Sequence, residues 1–358
     1  MRLLFVAKRE PQQRDLVHRP YGRFHWLPME LARRGHAVAL LLVSHRGSAP
    51  ASLERGGVRV STFNLRGAGI LRTLAAVEAE ARAFGPDWVI GCSDCWYGWL
   101  AARLAKRTEA CLAIDAYDDY ESYMPWNLPL HWAWRRALRS ADLVTAAGPH
   151  LASLLNRART GKAPAVVLPM AADPEFTPMD RAACRRMLGL EIAARYLGYV
   201  GSWSGSRGSD ALLEAFRIAR LRYPDLRLVV SGRPPPAVQA EPGVVTTGYL
   251  PDAQMPLLLN ALDVACVVTA DTAFGRSSYP AKLCEAMACE VPVVATETAP
   301  VAWMLDQNPS HLVPLGDPVA FANQIIAQLE SPSAGYLTRP SWAGIALGLE
   351  QALLQSAD

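Results

Sequence analysis

The chain of 358 residues is 51% hydrophobic and 19% charged, which indicates a soluble globular protein long enough for two domains. No apolar run approaches the roughly 20 residues of a membrane span, and Met1–Ala7 lacks a signal-peptide layout, so we expect a cytoplasmic location. The net charge is only +3 and we expect no nucleic-acid partner, but residues 1–175 hold 23 Lys+Arg against 16 Asp+Glu and should meet something anionic.

The first half alternates apolar strand-like runs with helical stretches, which is typical of a doubly wound α/β sheet. Strands are predicted at 3–7, 36–43, 59–63, 88–90, 111–114, 143–146 and 166–168, and helices at 23–34, 71–84 and 97–107. A proline-rich stretch after the last of these strands predicts a domain boundary.

The same alternation begins again at Tyr196 and predicts a second sheet. Strands are expected at 196–200, 226–231, 244–246, 264–268 and 291–295, and helices at 210–220 and 254–260 and within the stretch that begins at 280. We place the domains at 1–172 and 173–335 and expect residues 336–358 to form a C-terminal helix packed on the first domain. Two such Rossmann-like domains should face each other across a cleft, where small molecules bind.

In the first domain, DAYDDYESY follows the strand at 111–114 and offers carboxylates at its carboxyl end. Asp115, first after the strand, is the best candidate to orient an acceptor hydroxyl or accept its proton. Asp118 and Asp119 could also cap the following helix or lie in solvent. His25, shortly after Gly22, could reach substrate or serve as a packing residue.

Tryptophan and arginine alternate in MPWNLPLHWAWRRALR at 124–139. Trp126, Trp132 and Trp134 suit the headgroup level of a membrane, and the arginines would attract anionic lipid. A helix whose tryptophans fill the core of the first domain is the alternative.

Cys92 and Cys95 have the spacing of redox and zinc sites, but no second pair or histidine cluster accompanies them, so buried thiols are expected. Seven cysteines, an odd number without a secretion signal, indicate reduced thiols.

A glycine-rich loop, GSWSGSRGSD, follows the strand at 196–200. Gly201 lets the backbone approach a phosphate, and Arg207 supplies a fork of donors for a diphosphate. An ordinary strand-to-helix turn is the alternative.

The turns SGR and TGYL, with Gly232, Arg233, Tyr249 and Leu250, could hold a nucleobase or be routine turns.

The most informative segment is YPAKLCEAMACEVPVVATE at 279–297, which predicts a loop, a short helix and a buried strand. Pro280 suits the first helical position, so that the next N–H groups point at an anion. Glu285 offers two acceptor oxygens, which suits the paired hydroxyls of a ribose. A solvated carboxylate on a surface helix is the alternative.

Together these motifs resemble the retaining glycosyltransferases of family 4 (group 1), which have the two-domain GT-B fold. The segments that carry the resemblance are the loop at Gly22 with RRGHAV, ADLVTAAGPHLASLL, VVLPMAADPEFTP, the loop with Gly201 and Arg207, TGYLPD, and PAKLCEAMACEVPVVAT. The resemblance implies a metal-independent hexosyltransferase that moves a sugar from a nucleotide donor to the hydroxyl of a glycan or lipid-linked acceptor, as in polysaccharide synthesis. A peripheral contact with an anionic membrane is also expected.

By this resemblance the second domain binds a UDP-, GDP- or ADP-sugar, and no other cofactor is needed. Glu285 would hold the ribose, and Arg207 would take the place of the usual phosphate-binding lysine. The expected donor site comprises Gly201, Ser202, Arg207, Gly232, Arg233, Tyr249, Leu250, Ser278, Lys282 and Glu285, with Asp115, Arg207 and Lys282 as the catalytic groups. The acceptor would meet Gly22, His25, Asp115 and Asp118 in the first domain.

Three departures from the family pattern leave alternatives open. Ser202 stands where the family usually has an arginine. The family also has a glutamate a few residues before the one matched by Glu285, and that earlier position is Ser277 or Thr272 here, depending on the alignment. Glu290 replaces a glycine at the end of the helix, so we expect the turn there to differ slightly. A catalytically weakened sugar-nucleotide-binding protein of the same fold, or a sugar-nucleotide epimerase, would also fit this pattern.

Overall fold

The computed structural model describes residues 1–201, 203 and 208–356, and it divides the chain into two compact units. The first unit comprises Met1–Met170 and Pro340–Asp358, and the second comprises Ala171–Arg339. The sequence places the corresponding boundaries at 172/173 and 335/336.

The first unit is an alternation of strands and helices. In chain order it contains β1 (Arg2–Lys8), α1 (Arg23–Arg33), β2 (Ala37–Ser44), β3 (Ser52–Arg55), β4 (Val58–Asn64), α2 (Leu65–Ala68), α3 (Ile70–Phe84), β5 (Trp88–Gly91), α4 (Cys95–Thr108), β6 (Cys111–Ala116), α5 (Leu128–Ser140), β7 (Leu143–Ala146), α6 (Pro149–Asn156) and β8 (Val166–Val167).

Its sheet has the order β3-β4-β2-β1-β5-β6-β7-β8. All neighbours are parallel except β3 and β4. The central strands are apolar on both faces because helices cover both, as the fully buried run Leu3–Ala7 shows. The strand order reverses direction between β1 and β5, which is where ligands bind in doubly wound sheets.

The second unit repeats this plan. It contains α7 (Arg181–Met187), β9 (Tyr196–Tyr199), α8 (Ser209–Arg222), β10 (Arg227–Ser231), α9 (Pro236–Gln239), β11 (Val244–Gly248), α10 (Met255–Asn260), β12 (Val264–Val267), α11 (Ala273–Ser277), α12 (Ala281–Ala288), β13 (Val293–Thr296), α13 (Ala299–Met304), β14 (Leu312–Val313) and α14 (Pro318–Glu330).

Its sheet is parallel, in the order β11-β10-β9-β12-β13-β14. Leu197, Phe216 and Val264 are fully buried in a core that joins the sheet to α8 and α14. The order reverses between β9 and β12, so the loops after these two strands flank the expected ligand position.

The last helix, α15 (Trp342–Gln355), belongs to the first unit and packs on α1. Ser341 caps it by accepting a hydrogen bond from the Gly344 N–H at 3.2 Å. Glu350 of α15 pairs with Arg34 and lies 2.8 Å from Nε2 of His36, and both of these residues lie just after the end of α1.

The predicted strands and long helices are present with small shifts at their ends, and three differences matter. A short polar strand, β3, was not predicted and pairs antiparallel with β4. Asp115 lies inside β6 and not after it, because the strand continues to Ala116. The segment between the strand predicted at 264–268 and the helix after Pro280, where no helix was predicted, contains the helix α11.

Within the described part of the chain, no helix combines the length and apolar character that crossing a membrane requires.

Candidate functional site

The carboxyl ends of β9 and β12 carry the residues predicted to meet the donor. Gly201 follows β9 with φ +138°, and its N–H donates to the Ser231 hydroxyl at 3.2 Å. A Cβ on Gly201 would lie 3.9 Å from Nζ of Lys282, so the lysine ammonium reaches the backbone at the end of β9. The close approach of this backbone to a phosphate stays a prediction.

Lys282 is the only lysine after residue 162 and stands in the first turn of α12. Its ammonium lies 4.8 Å from the centre of the Tyr199 ring, a distance typical of a cation–π contact. The amino-terminal end of α12 adds partial positive charge in the same region. Pro280 is the residue before α12 and not its first helical residue, so the helix begins one position later than predicted.

Glu285 follows Lys282 by three residues on α12 and is partly exposed. Residues three apart share a helix face. The other face is buried, with Leu283, Ala286 and Met287 in the core. Lys282 and Glu285 therefore project from the side of α12 that the core leaves accessible, as a site requires.

The loop between β12 and α12 is closely packed. The Thr272 hydroxyl caps α11 by accepting from the Gly275 N–H at 3.0 Å, so one residue that replaces the family's earlier carboxylate serves the local fold. Ser277, the other such position, is 6% exposed. Gly208, with φ +80°, lies against this loop, where a Cβ would approach the Thr269 backbone to 3.1 Å.

The two turns predicted to hold a base meet in the structure. The Gly232 N–H donates to the Gly248 carbonyl at 2.7 Å, which joins the ends of β10 and β11. Tyr249 is 78% exposed and its ring borders Gly232. The Arg233 guanidinium lies 5.8 Å from the centre of that ring. Leu250, the next residue, is partly exposed, and so is Ser278 between α11 and α12. An exposed aromatic ring beside a glycine offers a flat surface on which a base can stack.

Ser202 and Arg207 lie outside the described residues, so their expected contacts with phosphate remain predictions.

In the first unit, the Asp115 carboxylate is buried and bonded to neighbouring side chains. It is 2% exposed and forms a bidentate ion pair with Arg23, at 2.7 and 2.6 Å, and it also accepts from the Thr145 hydroxyl. Arg23 donates in addition to the carbonyls of Leu168 and Pro169 at 3.1 and 2.9 Å. The expected proton-accepting role of Asp115 is therefore corrected: its two oxygens hold Arg23 in place.

Asp118 is a buried carboxylate of which only one oxygen has a hydrogen-bond partner within the described structure. It is 6% exposed, and its Oδ2 accepts from the Tyr123 hydroxyl at 2.8 Å, while Oδ1 has no hydrogen-bond partner in the described residues. Burial raises the pKa of Asp118 to about 7, and the neighbouring charge of Asp119 adds to this rise. Asp118 can thus change protonation near neutral pH.

The other acceptor candidates, Gly22 and His25, begin α1. Gly22 precedes the helix with φ +61°, a conformation that favours glycine. His25 lines a small, mostly apolar pocket with Phe24, Met29 and Arg55. Burial lowers the pKa of His25 to about 4, and the charge of Arg55 contributes, so the imidazole is neutral. These surroundings favour the packing role for His25.

Two family models match the chain and together cover more than half of it. Residues 23–171 match the "glycosyl transferase 4-like domain", and residues 194–331 match "glycosyl transferases group 1". The chain belongs to the group 1 glycosyltransferases of family 4.

Curated members of this family are similar to parts of the chain. A D-inositol 3-phosphate glycosyltransferase of Stackebrandtia nassauensis is 32% identical over 52% of this chain and 45% of its own length. A 2-deoxystreptamine glucosyltransferase of Streptomyces kanamyceticus is 27% identical over 66% of this chain and 65% of its own. The matched region spans less than half the length of the inositol phosphate relatives.

Solved structures match over nearly the whole chain. Sucrose-phosphate synthase from Thermosynechococcus elongatus has a TM-score of 0.77 at 18% identity and covers 99% of this chain and 98% of that one. Anabaena HepE in complex with UDP and glucose has a TM-score of 0.74 at 18% identity and covers 99% of each chain. These matches confirm the predicted GT-B fold, built here from two Rossmann-like parallel-sheet units.

The tryptophans around α5 divide between core and surface. Trp134 is 2% exposed and fills the core, whereas Trp126 and Trp132 are 75% and 62% exposed. Arg136 lies 5.8 Å from the centre of the Trp132 ring. The core alternative therefore holds for Trp134, whereas Trp126 and Trp132 are exposed and their contact with a membrane stays a prediction.

All seven cysteines are reduced, and six of them, including Cys92 and Cys95, are buried. The expectation of buried thiols at this pair is confirmed. Glu290 has φ +55°, a left-handed backbone conformation that favours glycine, and it pairs with Arg339 at 2.6 Å. The expected difference from the family's turn stays a prediction.

Sequence reasoning missed three groups at the carboxyl edge of the first sheet. Lys8, His45 and Asp94 follow or end three different strands, β1, β2 and β5. Arg23 was also missed, since its partner Asp115 is 92 residues away. The only sequence signal for Lys8, His45 and Asp94 was that each is a polar residue at or shortly after the end of a strand-like run.

Proposed function

We propose that this protein is a retaining glycosyltransferase that moves a sugar from a UDP-, GDP- or ADP-sugar to an acceptor hydroxyl. The second unit binds the donor. The observation that carries the proposal is the pair Lys282 and Glu285 on the accessible face of α12, with the lysine ammonium beside Gly201 at the end of β9. A cation for the diphosphate and a carboxylate for the ribose hydroxyls are thus side by side.

The chemistry asked of these residues is mainly electrostatic. As the anomeric bond loosens towards an oxocarbenium-like state, negative charge builds on the leaving diphosphate. Lys282, the start of α12 and, by the family resemblance, Arg207 stabilise this charge. The acceptor attacks from the donor's own face, so no protein nucleophile is required, and we propose that neither a metal nor a further cofactor is needed.

We propose that the first unit binds the acceptor and that Asp118 orients the attacking hydroxyl. Its Oδ1, which has no partner among the residues that the structure describes, can accept that hydroxyl's hydrogen bond while Tyr123 holds Oδ2. Asp115 contributes indirectly by fixing Arg23 at the start of α1.

Donor binding is tested by calorimetric titration with UDP, GDP and ADP. One of the three should bind wild type, and Glu285→Gln and Lys282→Met should each weaken that binding about tenfold or more, since each removes a charge-assisted hydrogen bond. Glu214→Gln, on the exposed face of α8, is the matched control. Unchanged affinity in both variants would contradict the proposed donor site.

Turnover separates the remaining functions. Wild type is incubated with each nucleotide sugar and candidate acceptors, and the anomeric configuration of the product is read by NMR. Retention of configuration supports the proposal, and inversion contradicts it. Tight donor binding without transfer or donor hydrolysis would favour a sugar-nucleotide-binding protein, and an isomerised donor formed without acceptor would favour an epimerase.

We propose that the enzyme works in the cytoplasm and touches an anionic membrane surface, where a lipid-linked glycan acceptor would be found. Trp126, Leu128 and Trp132 are more than 60% exposed, and Arg136 and Arg139 lie on the exposed side of α5. Such a face combines interfacial aromatic rings with positive charge.

This contact is tested by sedimentation with vesicles. Wild type should bind vesicles that contain phosphatidylserine more strongly than neutral ones, and Trp132→Ser and Leu128→Ser should weaken that binding. Leu221→Ser in the second unit, 85% exposed in wild type, is the control for loss of an exposed apolar side chain. Equal binding by all four proteins would contradict the proposed surface.

A further inference from the structure

Polar groups from three strands meet at the carboxyl edge of the first sheet, at its switch point. Lys8 ends β1 and is in register with Val43 of β2, while Val6 is in register with Gly91 of β5. The Lys8 N–H donates to the Ser93 hydroxyl at 3.1 Å. The side chains that follow these strand ends therefore surround the position where a doubly wound sheet binds its ligand.

His45 presents a fixed hydrogen-bond acceptor there. The Tyr97 hydroxyl donates its proton to the Val43 carbonyl at 3.1 Å and lies 2.8 Å from Nε2 of His45. Because a hydroxyl has one proton, Nε2 must be the donor in the second contact. Partial burial and the Lys8 ammonium lower the pKa of His45, so the ring is neutral and Nδ1 keeps a free lone pair.

Glu10 carries a buried oxygen without a partner. The side chain is 5% exposed, and Oε1 accepts from the hydroxyls of Ser44 and Ser48, both at 2.7 Å. Oε2 has no hydrogen-bond partner among the residues described. A buried carboxylate oxygen without a donor is costly unless something supplies one, so this oxygen indicates a missing partner.

Lys8 and Asp94 complete the group with a donor and an acceptor. The Lys8 ammonium is near enough to oppose the burial that raises the pKa of Asp94. Asp94 caps α4 with one oxygen, which accepts from the Trp96 N–H at 2.9 Å. Ser93, between β5 and this cap, has φ +90°, a strained conformation for a residue with a side chain that often marks a functional site.

We propose that Lys8, Glu10, His45 and Asp94 form an acceptor subsite that binds the hydroxyl groups of a cyclic polyol without a phosphate. The subsite offers the ammonium of Lys8 as donor and three acceptors, Nδ1 of His45 and the carboxylates of Glu10 and Asp94. Ring hydroxyls both donate and accept, so they can satisfy all four groups. This inference rests on the proposed function, because it names the acceptor of that transferase.

The local charge argues against a phosphate. Arg9 lies 3.8 Å from Oε1 of Glu10 and is held by Asp15 through two hydrogen bonds at 3.0 and 2.9 Å. When all five groups are counted, the three carboxylates of Glu10, Asp15 and Asp94 still outnumber the two cations of Lys8 and Arg9. A phosphate would bring further negative charge close to Glu10, whereas a neutral or amino-bearing ring would not. We therefore expect a sugar or aminocyclitol to be preferred over an inositol phosphate.

The test uses a matched pair of substitutions at His45. In His45→Asn the amide oxygen occupies the place of Nδ1 and keeps the acceptor, whereas His45→Gln keeps a donor near Tyr97 and loses that acceptor. KM values for donor and acceptor are measured for both variants, for Lys8→Met and for the exposed control Lys106→Ala. The acceptor probes are glucose, myo-inositol, 2-deoxystreptamine and inositol 3-phosphate.

We expect an unphosphorylated ring to be the best acceptor. Its KM should rise about tenfold in His45→Gln and Lys8→Met, the loss of one hydrogen bond to a positioned group, and less than about threefold in His45→Asn. Preference for inositol 3-phosphate, equal effects of the two His45 substitutions, or unchanged acceptor KM in all variants would overturn the inference.

A failure of the proposed function gives a different result. In that case wild type releases no nucleoside diphosphate from UDP-, GDP- or ADP-glucose, with or without acceptor. If wild type hydrolyses one of these donors but transfers its sugar to none of the three unphosphorylated rings, only the subsite inference fails.

Discussion

Asp118 should make the stability of this protein depend on pH, and Asp118→Asn should remove that dependence. Burial raises the pKa of Asp118 from an ordinary 3.8 to about 7 in the folded state. Between these two values the unfolded chain has lost a proton that the folded chain keeps, so the free energy of unfolding falls as pH rises. The difference in pKa corresponds to about 4 kcal/mol of the free energy of unfolding, which is lost progressively between about pH 4 and pH 7.

Asparagine has nearly the same shape and can still accept from Tyr123, but it does not ionise. The free energy of unfolding of Asp118→Asn minus that of wild type should therefore increase from about pH 4 to pH 7 and then level off. Urea unfolding of both proteins between pH 4.5 and 8.5 measures this difference, and groups common to both proteins cancel. Because the chain has two units, the comparison uses the transition in which the first unit, which contains Asp118, unfolds.

Asp225→Asn is the control, since this half-exposed carboxylate pairs with Arg195 at the surface and such a pair contributes at most about 1 kcal/mol. A difference between Asp118→Asn and wild type that stays constant over this pH range would refute the assignment of a buried, neutral carboxylic acid. A difference that decreases with pH would mean that the folded protein stabilises the charged form of Asp118.

Three further results follow from the structure. If Asp118 orients the acceptor hydroxyl, the transfer rate at saturating donor should rise with pH around a midpoint near 7, and a wild-type profile that stays flat from pH 5.5 to 8.5 would contradict this. Gly208→Ala should lower the free energy of unfolding by about 1–3 kcal/mol, because the residue has positive φ and no room for a Cβ. Calorimetry checks this against Gly335→Ala, where nothing lies within 4 Å, and equal melting temperatures would refute the packing argument. Arg23→Met should destabilise the first unit by about 3–5 kcal/mol because it leaves Asp115 buried without its partner, and the double variant Arg23→Met/Asp115→Leu should recover part of the loss in urea unfolding. No recovery in the double variant would count against an uncompensated charge as the cause.

Much of the fold could be predicted because apolar periodicity marks each buried strand and amphipathic helix locally. β7 was predicted to the residue, and most other predicted elements differ by only a few residues at their ends. β3 escaped prediction because a four-residue polar strand at a sheet edge has no apolar pattern to reveal it. α11 was hidden because its five residues depend on the Thr272 cap more than on periodicity.

The candidate site was harder to predict because it depends on contacts between distant segments. Asp115 ends an apolar run, so the sequence could not tell whether the strand would continue through it and bury its carboxylate against Arg23. The same limit applies to Lys8, His45 and Asp94, each of which looks like an ordinary polar residue after a strand. The α12 segment was predictable because its charged pair and helix lie within one continuous motif.

The burial of the cysteines has a practical consequence for spectroscopy. A thiol-reactive fluorophore needs an accessible thiolate, and burial raises the pKa of thiols such as Cys95, Cys266 and Cys284. A single cysteine introduced at Ser140, an exposed position at the end of α5, would then be labelled far faster than the native thiols. The emission of such a probe would follow arrival at a lipid surface in real time without first deleting any native cysteine.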